Sequence, residues 1–281
     1  MKKYWIIPFA FLIIAMIAAC DKVDEPYATV KKIVPLGDRK ILLEDFTGHT
    51  CVHCPKADKV AEGLKETGEG KVIVLTVHAG FYATPSSSGD FTYDFRTTEG
   101  EEIFTFFQVG VTPRGMVNRL TFDGERAIGE GEWPNAILSV LNLPPDAKIE
   151  ITNQYDAPSR TLNTYIHSKF FSPFNDIYKL CAYILEDSII APQKNNNPEV
   201  GPTPTIYDYN HMNVLRGSMN GTWGDQLNTA TIDTSTTYHS DYSMQLNPAW
   251  NAKNCKVMVY IYNEATKEIV QAEEEFILQE P

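Results

Sequence analysis

Two thiols stand three positions apart in the run Cys51-Val52-His53-Cys54-Pro55, with a histidine between them. A pair at that spacing can close an internal disulfide after one sulfur has attacked a disulfide elsewhere. Ahead of it, Ile41 to Phe46 is a short apolar run suited to a strand buried on both faces. Behind it, Ala57, Val60, Ala61 and Leu64 recur at helical spacing until Gly68 and Gly70 stop them. The pair thus joins a buried strand to the first turn of a helix, the setting that makes a bare CxxC a redox candidate. Free N–H groups and the dipole at a helix N-terminus favour an anion, so Cys51 is expected to be an attacking thiolate of lowered pKa. Cys54, one turn in, is the expected resolving thiol, and a protonated His53 adds to thiolate stability. Two other readings stay open: a structural disulfide, and a metal site, because His49, Cys51, His53 and Cys54 form a compact run of zinc ligands.

The following elements must position this pair. Lys71 to Val77 reads as a second buried strand, giving strand, helix and strand in a parallel crossover. Residues 79–110 read as irregular, with Pro85, Gly89 and a helix expected from about Thr97 to Phe107. Gly115 to Phe122 and Glu125 to Ile128 flank Asp123-Gly124, a strong hairpin signal. Trp133, Ala136, Ile137, Val140 and Leu141 mark one face of a closing helix, in whose first turn Pro134 is tolerable. Pro144-Pro145 ends it and is the expected domain boundary.

From Ala147 the apolar period changes to two. Seven alternating runs, separated by Pro, Asn, Gly and Ser, predict a second domain that is an all-β sandwich. The runs begin AKIE, RTLN, YKLC, LNTA, TYHS, CKVM and EIVQ. The long interruption from Asp187 to Asp225 reads as a loop with an aromatic stretch, a candidate surface for ligands. Trp223 and its neighbouring tyrosines read as core or domain-interface residues, and His78 as a packed or capping residue. Cys181 and Cys255 fall in predicted strands, where a cross-sheet disulfide and two buried free thiols are equally open.

The N-terminus adds a location. Residues 1–19 carry two lysines, an apolar stretch and small residues before Cys20, which is a signal-peptide layout too short to span a bilayer. Ile17-Ala18-Ala19-Cys20 matches the bacterial lipobox, so cleavage before Cys20 and lipidation of its sulfur are expected. Residues 20–37, with Pro26, Pro35 and Gly37, read as a tether, followed by domains at 38–143 and 144–281. The chain has 24 Lys and Arg against 36 Asp and Glu, a formal charge of −12. That balance argues against nucleic acid as a partner, because phosphate binding needs basic patches. No phosphate-binding Gly loop or other cofactor motif is present, so no cofactor is expected.

Strand, CxxC-opened helix and strand, followed by Val111-Thr112-Pro113 ahead of a hairpin and final helix, resemble the thioredoxin fold. The resemblance implies that Pro113 has a cis peptide bond, lies against the Cys pair, and crowds the face a metal would need. It also implies that the backbone of Thr112 binds extended substrate, and that Asp45 is a buried acid moving protons during exchange, with Glu44 its adjacent rival. The usual Trp before the first Cys is Thr50 here. Over nearly the whole mature chain, LLEDFTGHTCVHCPKA, VTPRGMVNR, NHMNVLRGSMNGTWG and VYIYNEATKEIVQAEE resemble the outer-membrane lipoproteins of the Bacteroides group related to the twenty-eight-kilodalton outer membrane protein. This implies a thioredoxin-like N-terminal domain and a C-terminal β domain at the outer membrane. Two function classes follow. One is a membrane-anchored thiol-disulfide oxidoreductase acting on protein thiols or disulfides; the other is a surface binding or adhesin-like lipoprotein with a structural CxxC disulfide.

Overall fold

A computed structural model describes residues 39–229 and 231–278. The signal peptide, Cys20 and the tether lie outside the described residues. The chain is rich in β structure, with mixed sheets and few helices. Strand β1 (Ile41–Thr47) leads through the Cys pair into helix α1 (Cys54–Thr67) and then strand β2 (Val72–His78). β1 and β2 pair in parallel, Leu43 opposite Val74 and Asp45 opposite Thr76. Both are buried along their whole length, as continuous apolar runs in parallel sheets are.

Helix α2 (Thr98–Phe106) is capped by Thr97, whose side chain accepts the Gly100 N–H. Strand β3 (Arg114–Val117) runs antiparallel to β1, and the Asp123-Gly124 turn closes with paired Phe122 and Glu125 backbone bonds. Helix α3 (Trp133–Leu141) buries the five apolar residues that its period marks.

After Pro144-Pro145 come β4 (Ala147–Asp156), β5 (Thr161–Phe170), β6 (Tyr178–Glu186), β7 (Ile189–Lys194), β8 (Thr205–His211), β9 (Val214–Ser218), β10 (Asp225–Gln226), β11 (Thr237–Gln245), β12 (Cys255–Asn263) and β13 (Ile269–Phe276). Three expectations are corrected here. The 187–225 interruption is not a loop: it holds the β7–β8 hairpin and β9. The run from Leu227 is not one of the long strands, because it follows two-residue β10 as an irregular segment. Finally, the strands after Pro144-Pro145 do not build a separate sandwich. The main sheet runs β13-β12-β6-β9-β2-β1-β3 without a break, β9 joining β2 on one side and β6 on the other. Alternation holds for β4, β5 and β11, which keep one wet face, while β6 and β12 are buried along nearly their whole length as members of the main sheet.

One face of the sheet shares a core with α2, from Leu42, Phe46 and Leu75 to Tyr183, Met258 and Tyr260. On the opposite face α1 and α3 cover β1 and β2, while the β11-β5-β4 sheet covers β6 and β12 through Ile149, Ile166, Phe170, Ile184 and Val257.

Candidate functional site

Alternation along β1 sends neighbouring acids to opposite faces. Glu44 faces the α2 side, where Arg119 gives it two hydrogen bonds of 2.7 and 2.8 Å and both side chains are fully buried. That pairing commits both Glu44 oxygens to Arg119. Asp45 faces α1, 1% exposed, and neither of its carboxyl oxygens meets a donor.

Cys51 and Cys54 are joined by a disulfide, with Cα atoms 5.5 Å apart and exposures of 2% and 0%. Helix α1 begins at Cys54 rather than Cys51, and His53 is its N-cap. Cys51 lies in the approach loop, its N–H donating to the Gly48 carbonyl at 2.9 Å. Cys51 therefore stands two residues before the N-cap, and the dipole argument acts on it from there. Gly48 is required by contact: a Cβ there would lie 2.4 Å from the Tyr82 backbone, to which Thr50 also donates.

The Thr112-Pro113 bond is cis, and the Cys51 Sγ lies 3.7 Å from the Thr112 carbonyl oxygen. Pro113 directly precedes β3, whose Arg114 pairs with Phe46. His53 is exposed, with the Asn196 amide 3.2 Å from its Nδ1. Exposed apolar side chains occur on the segments around the pair: Val52 between the cysteines, Phe81 and Tyr82 in the turn whose backbone bonds Thr50, and Val111 beside Thr112.

The zinc-ligand run does not converge. His49 turns inward to stack on Phe91 and lies 5.7 Å from Phe95, whereas His53 faces out and both sulfurs are tied to each other. Phe95 is the hub of a buried cluster that also takes His78 at 4.4 Å and His211 at 4.5 Å. Burial lowers the pKa of all three histidines, that of His211 to about 3.

Sequence reasoning missed two parts of the site. The first is a strap formed by the end of β7 and the residues that follow it. Gln193, fully buried, donates through Nε2 to the carbonyls of Gly48, Cys51 and Lys194 at 3.2, 2.9 and 3.1 Å. The Lys194 and Asn196 N–H groups bond the His49 and Val52 carbonyls at 2.9 and 3.1 Å, so the strap pairs with the Cys loop as a strand edge would. Reading 187–225 as a loop hid it. The second is Asp58, four residues after Cys54 on α1, whose carboxyl accepts from the Tyr209 hydroxyl at 2.7 Å. Burial, then the Asp58 charge, raises the Asp45 pKa well above the usual carboxylate range; burial brings Asp58 to about 6. The i, i+4 spacing from Cys54 was the available signal for Asp58, whereas nothing local marks Tyr209.

Elsewhere, Cys181 and Cys255 are free and buried, which settles the cross-sheet disulfide against. Burial pushes their thiols up to about 11 and about 12. They lie on paired strands but out of register, Cys181 opposite Tyr260 and Cys255 opposite Glu186. Trp223 is half-buried, 4.7 Å from the exposed Phe106 at the edge of an open groove that also holds Arg96, Glu101 and Glu102.

No curated protein matches the chain by sequence. Among solved structures, HBP35 of Porphyromonas gingivalis is similar at a TM-score of 0.62 and 18% identity, over 85% of this chain and 75% of that one. At that identity the likeness is one of fold. A domain of the outer membrane lipoprotein Omp28 from the same organism matches at a TM-score of 0.32 and 17% identity, over 47% of this chain and 88% of that one. The family described as outer membrane protein Omp28 matches residues 101–279, from within α2 to beyond β13. With more than half of its length inside that match, the chain belongs to the Omp28 family of outer membrane proteins.

Proposed function

We propose that this chain is a lipoprotein held at the outer membrane by lipid on Cys20, facing the periplasm or the cell surface, and that its Cys51–Cys54 pair exchanges disulfides with exported proteins. The signal-peptide layout, the lipobox and the family support the location. One observation carries the chemistry: the closed pair lies against the Thr112 carbonyl before cis-Pro113, at the end of β1 and the start of α1. The parallel pairing of β1 and β2 supports reading this as a thioredoxin-like arrangement. In the reduced protein, the Cys51 thiolate attacks a substrate disulfide, forming a mixed disulfide and expelling one substrate thiolate. Cys54, losing its proton, then attacks the Cys51 sulfur, closes the internal disulfide and releases the second substrate thiolate. Two electrons pass to the substrate, and the reverse sequence oxidises a dithiol. Thr112 and Pro113 hold the substrate backbone, His53 favours the Cys51 thiolate, and Asp45 exchanges the proton of Cys54.

A second reading has its own support. The strap covers the Cys loop and Cys51 is only 2% exposed, as in a structural disulfide. In that case the chain is a surface binding, adhesin-like lipoprotein, and the β7–β8 hairpin, with Ile190 61% and Tyr207 64% exposed, is the contact region. The reduction potential of the pair separates the two. Structural disulfides lie below about −300 mV and exchange sites above it. Cys54→Ser should accumulate mixed disulfides through Cys51, because attack remains and resolution is removed. A potential below that value with no trapped species makes the disulfide structural.

A further inference from the structure

Cys54, Asp58 and Glu62 follow one another at four-residue intervals along α1, so their side chains form a file on one side of the helix. The file starts at a fully buried sulfur and ends at the half-buried Glu62. Beside it, β1 contributes Asp45 and β8 contributes Tyr209. A small, partly open cavity of about 20 Å³ is lined by Asp45, Asp58, Glu62, Thr76, Tyr209 and His211, room for one water.

Both oxygens of Asp45 and the Oδ1 of Asp58 are buried without a donor. Two carboxylates cannot share such a site while both ionised, so the pair holds a proton between them. Tyr209, whose hydroxyl spends its proton on Asp58 Oδ2, biases where that proton sits: negative charge on Asp58, hydrogen on Asp45. The other charged groups facing the pair are Glu62 on α1 and Glu130, itself paired to Lys56 at 3.0 Å. His211, held neutral by burial, adds no charge.

We propose that Asp45, Asp58 and Tyr209 act as one proton-holding unit for Cys54, in which Asp58 is the partner carboxyl and Tyr209 a positioning residue. This deepens the thiol-exchange reading and rests on it. In the closing step the Cys54 S–H bond breaks and its proton bonds to the free carboxylate oxygen of the singly protonated pair. The Cys54 thiolate forms the S–S bond with the Cys51 sulfur of the mixed disulfide, and the substrate sulfur leaves as a thiolate with the bonding electrons. The substrate, a protein disulfide, is the oxidant. The reverse step returns the proton to Cys54 as the incoming thiol opens the pair. A base that takes up its proton near the working pH suits both directions.

Two readouts on the full mature protein test this. The first is the single-turnover reaction of reduced protein with hydroxyethyl disulfide, followed through about pH 5 to about pH 9. The wild-type closing rate should rise through the lower titration of the pair. Tyr209→Phe, which removes a donor to the charged carboxyl, should move that rise upward by about one pH unit. An unmoved profile in a folded Tyr209→Phe protein overturns the proposal. The second readout is a carbon-13 titration of the aspartate carboxyls, independent of any exchange activity. One carboxyl of the pair should titrate far above about 3.9, and Asp58→Asn should bring Asp45 down by removing its charged neighbour. Two ordinary carboxyl titrations overturn the shared proton. If wild type reacts with no disulfide while the carboxyl titrations are as expected, the exchange reading fails and the proton-sharing pair stands.

Discussion

Arg119 reaches Glu44 across the sheet with two N–H donors while a third bond, 3.0 Å long, joins it to the Tyr260 hydroxyl. Successive left-handed residues, Asn118 at φ 48° and Arg119 at φ 54°, turn the chain after β3 and send the guanidinium inward between the Phe107 and Tyr260 rings. Removing one partner strands the other charge without water. Glu44→Gln should therefore lower stability by about 3–5 kcal/mol, read from urea unfolding of the oxidised protein. Asp45→Asn, on the opposite face, should stabilise the protein above about pH 4, where the unfolded chain's carboxyl, of ordinary pKa 3.8, ionises while burial opposes charging the folded one. Equal losses from the two substitutions would contradict this division of the acids.

Acid should weaken the fold through the Phe95 cluster. His49, His78 and His211 have folded pKa values below the ordinary 6.5, so the unfolded chain binds more protons than the native one once pH falls below that value. Each such group adds a slope of up to about 1.4 kcal/mol per pH unit, with stability lost as pH falls. The carboxyl pair runs the other way. Its raised folded values contribute stability below the unfolded 3.8 that disappears as pH rises through about 6 for Asp58. Urea midpoints measured between about pH 7 and about pH 4.5 should fall less steeply in His78→Gln than in wild type. Parallel curves would mean that His78 is charged in the native state.

Gln193→Ala should expose the disulfide to reductant. Its amide serves three carbonyls at once, two of them in the Cys loop. Leaving buried acceptors unmade costs about 1–3 kcal/mol, enough to make loop opening about tenfold more frequent. The rate of reduction by dithiothreitol should rise by that factor while the unfolding midpoint moves little. An unchanged rate would show that the strap does not hold the loop.

Lipid on Cys20 is checked by mass spectrometry of the mature N-terminus, where a diacylated cysteine at position 20 is expected. An unmodified terminus at another residue would rule it out.

The Cys pair and the two flanking strands were legible because each leaves a local signal, spacing or burial on both faces, whereas Asp45 and Pro113 entered only through the resemblance to the thioredoxin fold. Helix α3 was equally plain, with all five of its stripe residues inside. What was not legible depends on strands distant in sequence. β7, β8 and β9 are short and interrupted by polar residues, and their pairing is set by the neighbours that they join rather than by their own period. Gln193 and Tyr209 lie on these strands, so half of the site was hidden with them. Beyond Pro144-Pro145 the pattern changes for β4, β5 and β11, which keep one wet face, whereas β6 and β12 are covered on both faces in the main sheet that continues through the boundary.

The seam between β2 and β9 rests on a single registered pair, Thr76 and Val214, and beside it Lys256 reaches Asn213, Asp187 and Glu274 at 2.7, 3.1 and 3.1 Å. A protein held at its N-terminus receives mechanical load through residue 39 into β1, which has neighbours on both sides. Tension along β1 must shear seven register positions against β2 together, whereas tension across β2 and β9 opens one bridge and a knot of charges. The direction of pull therefore decides which gives way: force entering along β1 is carried by the strands that hold the Cys pair, and force applied at the far sheet tests the seam.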